Sequence, residues 1–223
     1  MSTAFFEKLL AEHGDSPRSL DWSPEGQADR FRVLAEVVPD LVGVSGSVLD
    51  VGCGLGHFRD YLYSVVGHRG PYRAFDTSSK MIDAARARMV ERGLYSAIAA
   101  DDAFTVHDAV DHPIPAEYHA DYVFASGVLN LEVNGGASGW TWRVGGDDNA
   151  MLDLLQHCYD ACRIACAVNM LSSCAPEKRE GRVYRRPEWA IRQALEIAPR
   201  ATLRHDYRPN DFTLYIYKEK ASR

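Results

Sequence analysis

The chain has 223 residues, of which 46% are apolar and 25% charged, as expected for one globular α/β domain. Its net charge of −6 argues against broad electrostatic binding to DNA or RNA. It contains neither an apolar run of membrane-spanning length nor the order of a signal peptide, so we expect a cytoplasmic protein without a membrane partner. Its five cysteines form no CxxC pair, so we expect reduced thiols and no metal site.

Short apolar strands alternate with helical segments along the chain, and a hairpin follows. This order predicts an α/β fold with a doubly wound, mostly parallel sheet. In such sheets ligands bind at the carboxyl ends of the strands. The predicted helices cover residues 4–12, 25–38, 57–66, 79–93, 147–162 and 187–198, and the predicted strands cover residues 47–51, 72–76, 96–100, 122–126, 163–170, 201–207 and 212–218.

The clearest motif is the VLDVGCGLG segment that ends the first predicted strand. Its alternating glycines, Gly52, Gly54 and Gly56, let a ligand approach the backbone closely. The spacing differs from the GxGxxG of pyrophosphate-binding folds, and Asp50 would repel a pyrophosphate but suit an ammonium group. A tight turn without a ligand is the alternative.

Three further signals follow later strands. Asp76 ends the second strand, where it can accept bonds from a ribose diol or stabilise the next helix. An acidic pair follows the predicted third strand, and we favour Asp102 over Asp101, together with Ala103, for contact with an adenine. The fourth strand ends at Ser126 in a loop of small residues.

Taken together, the segments VLDVGCGLGHF, YRAFDTSSKMIDAAR, ADDAF and ADYVFASGVLNL resemble the successive motifs of class I S-adenosylmethionine-dependent methyltransferases. The resemblance covers residues 47–218. It implies a Rossmann-like methyltransferase fold, with a seven-stranded, mostly parallel sheet whose last strand is antiparallel. It also implies S-adenosylmethionine as cofactor and S-adenosylhomocysteine as product.

The resemblance further implies a role for each matched residue. The glycine-rich turn would surround the methionine part of the cofactor, and the carboxylate at the end of the second strand would bind the ribose. The backbone near Ala125 would receive the amino group. The cofactor-binding residues expected on these grounds are Asp50, Gly52, Gly54, Gly56, Asp76, Thr77, Met81, Asp102, Ala103 and Ser126.

Substrate contacts are expected from three segments outside these motifs, residues 13–30, 127–147 and 170–188. Two tryptophans in the glycine-rich middle segment suggest an adaptable aromatic wall, although they could simply anchor the loop. No histidine has a spacing that marks it as a general base, so the catalytic residue is left unassigned. The candidate substrate residues are Trp22, Asn130, Trp140 and Trp142.

The N-terminal residues 1–46 precede the first strand, whereas residues 47–223 form the cofactor-binding domain of a single compact unit. We expect the N-terminal segment to act as a lid that excludes water. Arg30 is then the expected partner of the cofactor carboxylate, unless its helix only packs on the sheet and the side chain faces solvent.

Three functions compete at this point. The favoured one is O- or N-methylation of a small molecule by in-line transfer from a sulfonium. The second is a nicotinamide-dependent oxidoreductase, against which Asp50 and the glycine spacing argue. The third is a protein that binds S-adenosylmethionine without catalysis.

Overall fold

The computed structural model describes residues 2–37, 45–131 and 149–219. Seven strands form one sheet in the order β3-β2-β1-β4-β5-β7-β6, and β7 is antiparallel to both its neighbours. The predicted doubly wound sheet with an antiparallel last strand is therefore confirmed. Among the described residues, no helix is both long and apolar enough to cross a membrane. The strands are β1 Val48–Val51, β2 Tyr72–Asp76, β3 Phe104–Val106, β4 Ala120–Ser126, β5 Cys162–Leu171, β6 Ala201–Arg204 and β7 Asp211–Tyr217.

Helices cover both faces of this sheet. On one face α2 and α4 pack with residues such as Phe124, and on the other α6 and α7 pack with residues such as Val123. The central strands are buried on both sides because each alternate residue meets a helix layer. The helices are α1 Ser2–His13, α2 Pro24–Ala35, α3 His57–Tyr61 (which continues as a π-helical turn, Leu62–Val66), α4 Ser79–Glu91, α5 Ala97–Ala103, α6 Asn149–Ala161 and α7 Pro187–Ile197, and 3-10 turns lie at Pro17–Leu20 and Ala116–Tyr118.

The third strand differs from its prediction at residues 96–100. Those residues begin helix α5, which Ser96 caps by accepting a bond from the Ala99 amide at 3.2 Å. The strand itself is Phe104–Val106, paired in parallel with β2. Asp102 and Ala103 therefore lie at the amino end of β3, away from the carboxyl ends of the strands.

Helix α2 belongs to the body of the domain. Its residues Phe31, Val33 and Leu34 are buried in the core on the α2 face of the sheet. The Tyr215 hydroxyl of β7 donates to the Val33 carbonyl. Ahead of α2, Trp22 also packs against this core.

Candidate active site

The glycine-rich turn after β1 needs glycine at each of its three positions. Gly52, Gly54 and Gly56 have φ of 72°, 53° and 71°, a backbone region that other residues rarely adopt. A Cβ on Gly52 would lie 2.5 Å from the Val128 side chain, and one on Gly54 would lie 2.6 Å from Leu20. The turn is held under the strand ends by the Cys53 amide, which donates to the Phe75 carbonyl at 2.8 Å.

Asp50 lies beneath this turn, inside the core. Its side chain accepts a 2.6 Å bond from the Tyr72 hydroxyl, and the residue is 4% exposed. Burial raises the pKa of Asp50 to about 7; the Tyr72 bond opposes this rise and the nearby Asp76 charge adds to it. When ionised, this carboxylate supplies negative potential under the turn, which suits a cationic ligand.

Asp76 joins the glycine-rich turn to the start of α4. One carboxylate oxygen accepts from the Gly54 amide and the other from the Ser78 amide, both at 2.9 Å. Burial raises the pKa of Asp76, although these backbone amides oppose the rise. Each oxygen has a further lone pair, so the geometry leaves room for a ribose diol.

The acidic residue at the carboxyl end of β3 is Asp108, not Asp102. Its Oδ1 accepts from the Val110 amide at 3.0 Å and the Asp111 amide at 3.2 Å. Its charge also contributes to the raised pKa of Asp76, so the two carboxylates are neighbours. The prediction that Asp102 follows the third strand is wrong, because the short strand lies after the acidic pair.

The other predicted cofactor residues lie at the expected edge of the sheet. Thr77 is exposed between β2 and α4, and Met81 is buried in the first turn of α4. Ala125 is buried at the end of β4, and the Ser126 hydroxyl is buried without a hydrogen-bond partner among the described residues. An unpaired buried hydroxyl at this edge is available to a ligand or an ordered water.

Residues 2–22, which we call the cover segment, pack over this edge. Leu20 lies against the open face of Gly54, and the Trp22 ring lies against Gly127 after β4. On the other side, Glu7 accepts bonds from Lys80 at 2.7 Å and from the Ser78 hydroxyl at 3.1 Å. The cover segment thus contacts the loops that follow three different strands.

A polar cluster attaches the middle of the cover segment to α3 and α4. His57 contacts Asp15 through Nε2 at 2.7 Å and Gln27 through Nδ1 at 3.0 Å. Arg88 donates to Asp15 at 2.9 Å and to Asp60 at 2.8 Å. Burial lowers the pKa of His57 despite the bond to Asp15, so the neutral imidazole is favoured.

Arg30 does not have either of its predicted environments. Its Nε and Nη2 donate to both carboxylate oxygens of Asp211 at 2.9–3.1 Å, and its guanidinium lies 4.8 Å from the Trp22 ring centroid. Burial raises the pKa of Asp211, which the positive charge of Arg30 opposes. Arg30 is therefore neither a solvent-facing side chain nor an unpaired guanidinium for the cofactor carboxylate.

Asn130 joins two loops at the same edge. Its Oδ1 accepts from the Leu171 amide and its carbonyl accepts from the Val183 amide, both at 3.1 Å. This makes Asn130 a positioning residue for the segments after β4 and β5. Trp140 and Trp142 lie outside the described residues.

Sequence reasoning missed three features of this site. Asp108 was missed although Asp108-Ala109 repeats the acid–alanine pattern of Asp102-Ala103. The contact of Leu20 with the turn had no local signal. The pair of His57 and Asp15 could have been suspected only because a histidine directly follows the last glycine.

Comparisons with known proteins agree with this architecture. The magnesium protoporphyrin IX methyltransferase ChlM from Synechocystis PCC 6803, with bound SAH, has a TM-score of 0.60 at 14% identity, covering 97% of this chain and 94% of that chain. A SAM dependent methyltransferase from Aquifex aeolicus has a TM-score of 0.54 at 19% identity, covering 96% and 97%. The glycopeptide N-methyltransferase MtfA, complexed with SAM, has a TM-score of 0.55 at 13% identity, covering 84% and 92%. At such identities the likeness is one of fold.

Part of the sequence also matches a family model. No curated protein matches the chain, but residues 48–136 match the methyltransferase domain family. This segment contains the glycine-rich turn, Asp76 and the end of β4. The match shows a methyltransferase domain over residues 48–136, and structural neighbours with bound SAH or SAM share the fold of the chain.

Proposed function

We propose that the chain methylates an oxygen or nitrogen atom of a small molecule, in a site covered by its own N-terminal residues. The observation that carries this proposal is the packing of Leu20 on Gly54 and of Trp22 on Gly127. A site covered in this way has little room for a macromolecular acceptor beside the turn. The cover also excludes water from the reacting groups, as lids do.

The residues at the strand ends fit the cofactor in shape and charge. Gly52 and Gly54 let the Val128 and Leu20 side chains pack directly on the turn, and we assign the methionine part of the cofactor to the backbone of this turn. Asp76 would hold the ribose, and Asp108 with the backbone of Ala109 would face the adenine. When bound, the cofactor supplies a methyl group on a positively charged sulfonium.

The remaining predicted residues would contact the adenine and the amino group of the cofactor. Thr77 and Met81 would flank the adenine ring, and Ser126 with the adjacent backbone would receive the amino group. Asp50 would not contact the cofactor directly, because its side chain already accepts a hydrogen bond from Tyr72. Its negative charge beneath the turn would instead favour the cationic cofactor. In-line transfer then depends on how the chain aligns the acceptor, a task that we assign to the segments 13–30, 127–147 and 170–188.

Structural neighbours support a small acceptor. Their names specify magnesium protoporphyrin IX for one, pyocyanin biosynthesis for a second and a glycopeptide for a third. These compounds have little in common beyond modest size. The neighbours therefore support a small acceptor. Its chemical class has to be inferred from the residues of this chain.

Two measurements test the proposal. Calorimetry should show S-adenosylhomocysteine binding far more tightly than NAD, and tighter binding of NAD would sink the cofactor assignment. Purified protein with S-adenosylmethionine should then form S-adenosylhomocysteine when given the low-molecular-mass fraction of a cell extract. Turnover with only the protein or nucleic-acid fraction would overturn the small-molecule acceptor.

A further inference from the structure

Asp21 lies over the middle of the site, between the two residues that touch the cofactor-binding loops. Leu20 before it contacts Gly54, and Trp22 after it contacts Gly127. Its φ of 58° makes it the only non-glycine residue with positive φ in the described part of the chain. Aspartate adopts this region more readily than most residues, and here it ends the 3-10 turn Pro17–Leu20.

Two arginines of the segment between β5 and α7 hold the Asp21 carboxylate. Arg182 Nη2 donates to Oδ2, and Arg179 approaches Oδ1 at 3.2 Å and Oδ2 at 3.0 Å. The Arg182 side chain is 12% exposed and its guanidinium lies 5.0 Å from the Phe5 ring centroid. The Asp21 side chain is 27% exposed, so the contact sits at the border between the covered site and water.

The arginine segment is held in place by the body of the domain. Arg182 forms a β-bridge with Leu131, and the Val183 amide donates to the Asn130 carbonyl. Asn130 in turn bonds the end of β5 through Leu171. The backbone at Arg182 is therefore fixed relative to the strand ends, whereas the Arg179 side chain is 60% exposed and Asp21 belongs to the cover segment.

We propose that Arg179 and Arg182 bind an oxyanion of the methyl acceptor, a carboxylate or a phosphate, and that Asp21 occupies this position until the acceptor arrives. The inference rests on the proposed methylation of a small molecule at the adjoining strand ends. Guanidinium groups match the planar, two-oxygen geometry of such anions. The Phe5 ring beside Arg182 favours a planar, aromatic body for the acceptor.

The contact between Asp21 and the two arginines has an energetic consequence for anion binding. A carboxylate already tethered to the arginines competes with any free anion, so the apparent affinity is the intrinsic affinity multiplied by the fraction of molecules in which Asp21 has left the arginines. Replacing Asp21 by asparagine removes the negative charge while keeping the size. Free anions should then bind more tightly to the same two arginines.

Benzoate and inorganic phosphate serve as probes, titrated by calorimetry into protein saturated with S-adenosylhomocysteine. We expect Asp21→Asn to lower the dissociation constant of one of these anions by about tenfold or more relative to the unchanged protein. A gain for benzoate identifies a carboxylate acceptor, and a gain for phosphate a phosphorylated one. Asp21→Asn combined with Arg182→Gln should lose the gain.

A matched control uses Arg186, an exposed neighbour whose contact is Glu188 at 3.9 Å. Asp21→Asn combined with Arg186→Gln should keep the full gain. Anion binding by Asp21→Asn that stays within about twofold of the unchanged protein would overturn the inference, and so would a gain that survives Arg182→Gln. Failure of the unchanged protein to bind S-adenosylhomocysteine would instead refute the proposed function, and the anion titrations would still be readable on unsaturated protein.

Discussion

Asp50 places an ionisable group where water does not reach it. Its pKa rises from 3.8 to about 7 on folding, so the native state holds a proton that the unfolded chain has already released. The free energy of unfolding should therefore fall as pH rises between these two values, and this contribution should level off above about 7.

Asp50→Asn should remove this dependence, since an amide has no proton to lose and its oxygen can still accept from Tyr72. The melting temperature of the variant should exceed that of the unchanged protein by a margin that widens from acid to neutral pH. Thermal melting at several pH values checks this. A margin that does not vary with pH would contradict the buried, titrating carboxyl.

The proposed ribose contact of Asp76 and its bonds to the backbone can be separated by one substitution. Asp76→Ala should weaken S-adenosylhomocysteine by about 2–4 kcal/mol through lost ribose bonds. It should also lower the free energy of unfolding by about 1–3 kcal/mol, because the Gly54 and Ser78 amides lose their acceptor. Asp83→Ala, at a 74% exposed side chain on the following helix α4, should change neither quantity. An unchanged affinity for S-adenosylhomocysteine in Asp76→Ala would show that Asp76 only holds the Gly54 and Ser78 amides.

Asp108 and Asp102 form a second matched pair. Asp108→Ala should weaken S-adenosylhomocysteine by about 1–2 kcal/mol, because Asp108 neighbours Asp76 at the carboxyl edge. Asp102→Ala should leave the affinity unchanged, because its carboxylate lies before β3. Calorimetry on both variants decides it, and a larger loss for Asp102→Ala would reverse the assignment.

At the scale of elements, the cover segment contacts His57, a buried histidine whose neutral form is favoured. Burial lowers the pKa of His57 below its ordinary 6.5, so the unfolded chain binds a proton that the native state rejects just below this value. The free energy of unfolding should consequently fall as pH drops below about 6.5. His57→Gln should flatten that acid-side fall, measured by denaturant unfolding at several pH values. An identical slope in the variant would show that His57 does not contribute to it.

The elements also show where a sequence is informative. β1, β2 and β4 were predictable because each is a short apolar run followed by a turn of glycine or small residues. Residues 96–100 alternate small and apolar side chains like a strand, yet Ile98 is 78% exposed and Ser96 caps a helix rich in alanine. β3 has three residues, too few for a period to be recognised.

At the scale of the whole molecule, Arg30 and Asp211 connect parts of the chain 181 residues apart. No local pattern reveals such a pair, which is why Arg30 was first assigned to the cofactor. The same reasoning applies to Asp21 and Arg182, which only the folded chain brings together. Glycine spacing and acids at strand ends are local sequence signals, so the cofactor side of the site was predictable. The residues that pair with its arginines are distant in sequence and were not predictable.

Breaking the Arg30–Asp211 pair should destabilise the protein strongly. Arg30→Met or Asp211→Leu alone should each lower the free energy of unfolding by about 3–5 kcal/mol, because an uncompensated charge or an unpaired site stays buried. The double substitution should recover much of this loss, since neither buried charge of the pair remains and Arg208, which also lies 3.5 Å from Asp211, keeps its bond to Asp29. Denaturant unfolding of all four proteins gives the coupling, and additive losses would show that the two side chains act independently.

The position of β7 between β5 and β6 has a consequence for biosynthesis. β6 leaves the ribosome before β7, the strand with which it pairs. β5 also lacks β7 as a partner while residues up to Asp211 are still being added. Until then the edge of β5 is open and Arg30 lacks its counter-ion, so a nascent chain stalled before β7 should be recognised by chaperones and cleaved readily by proteases. Release of a complete β7 should end that vulnerability in one step.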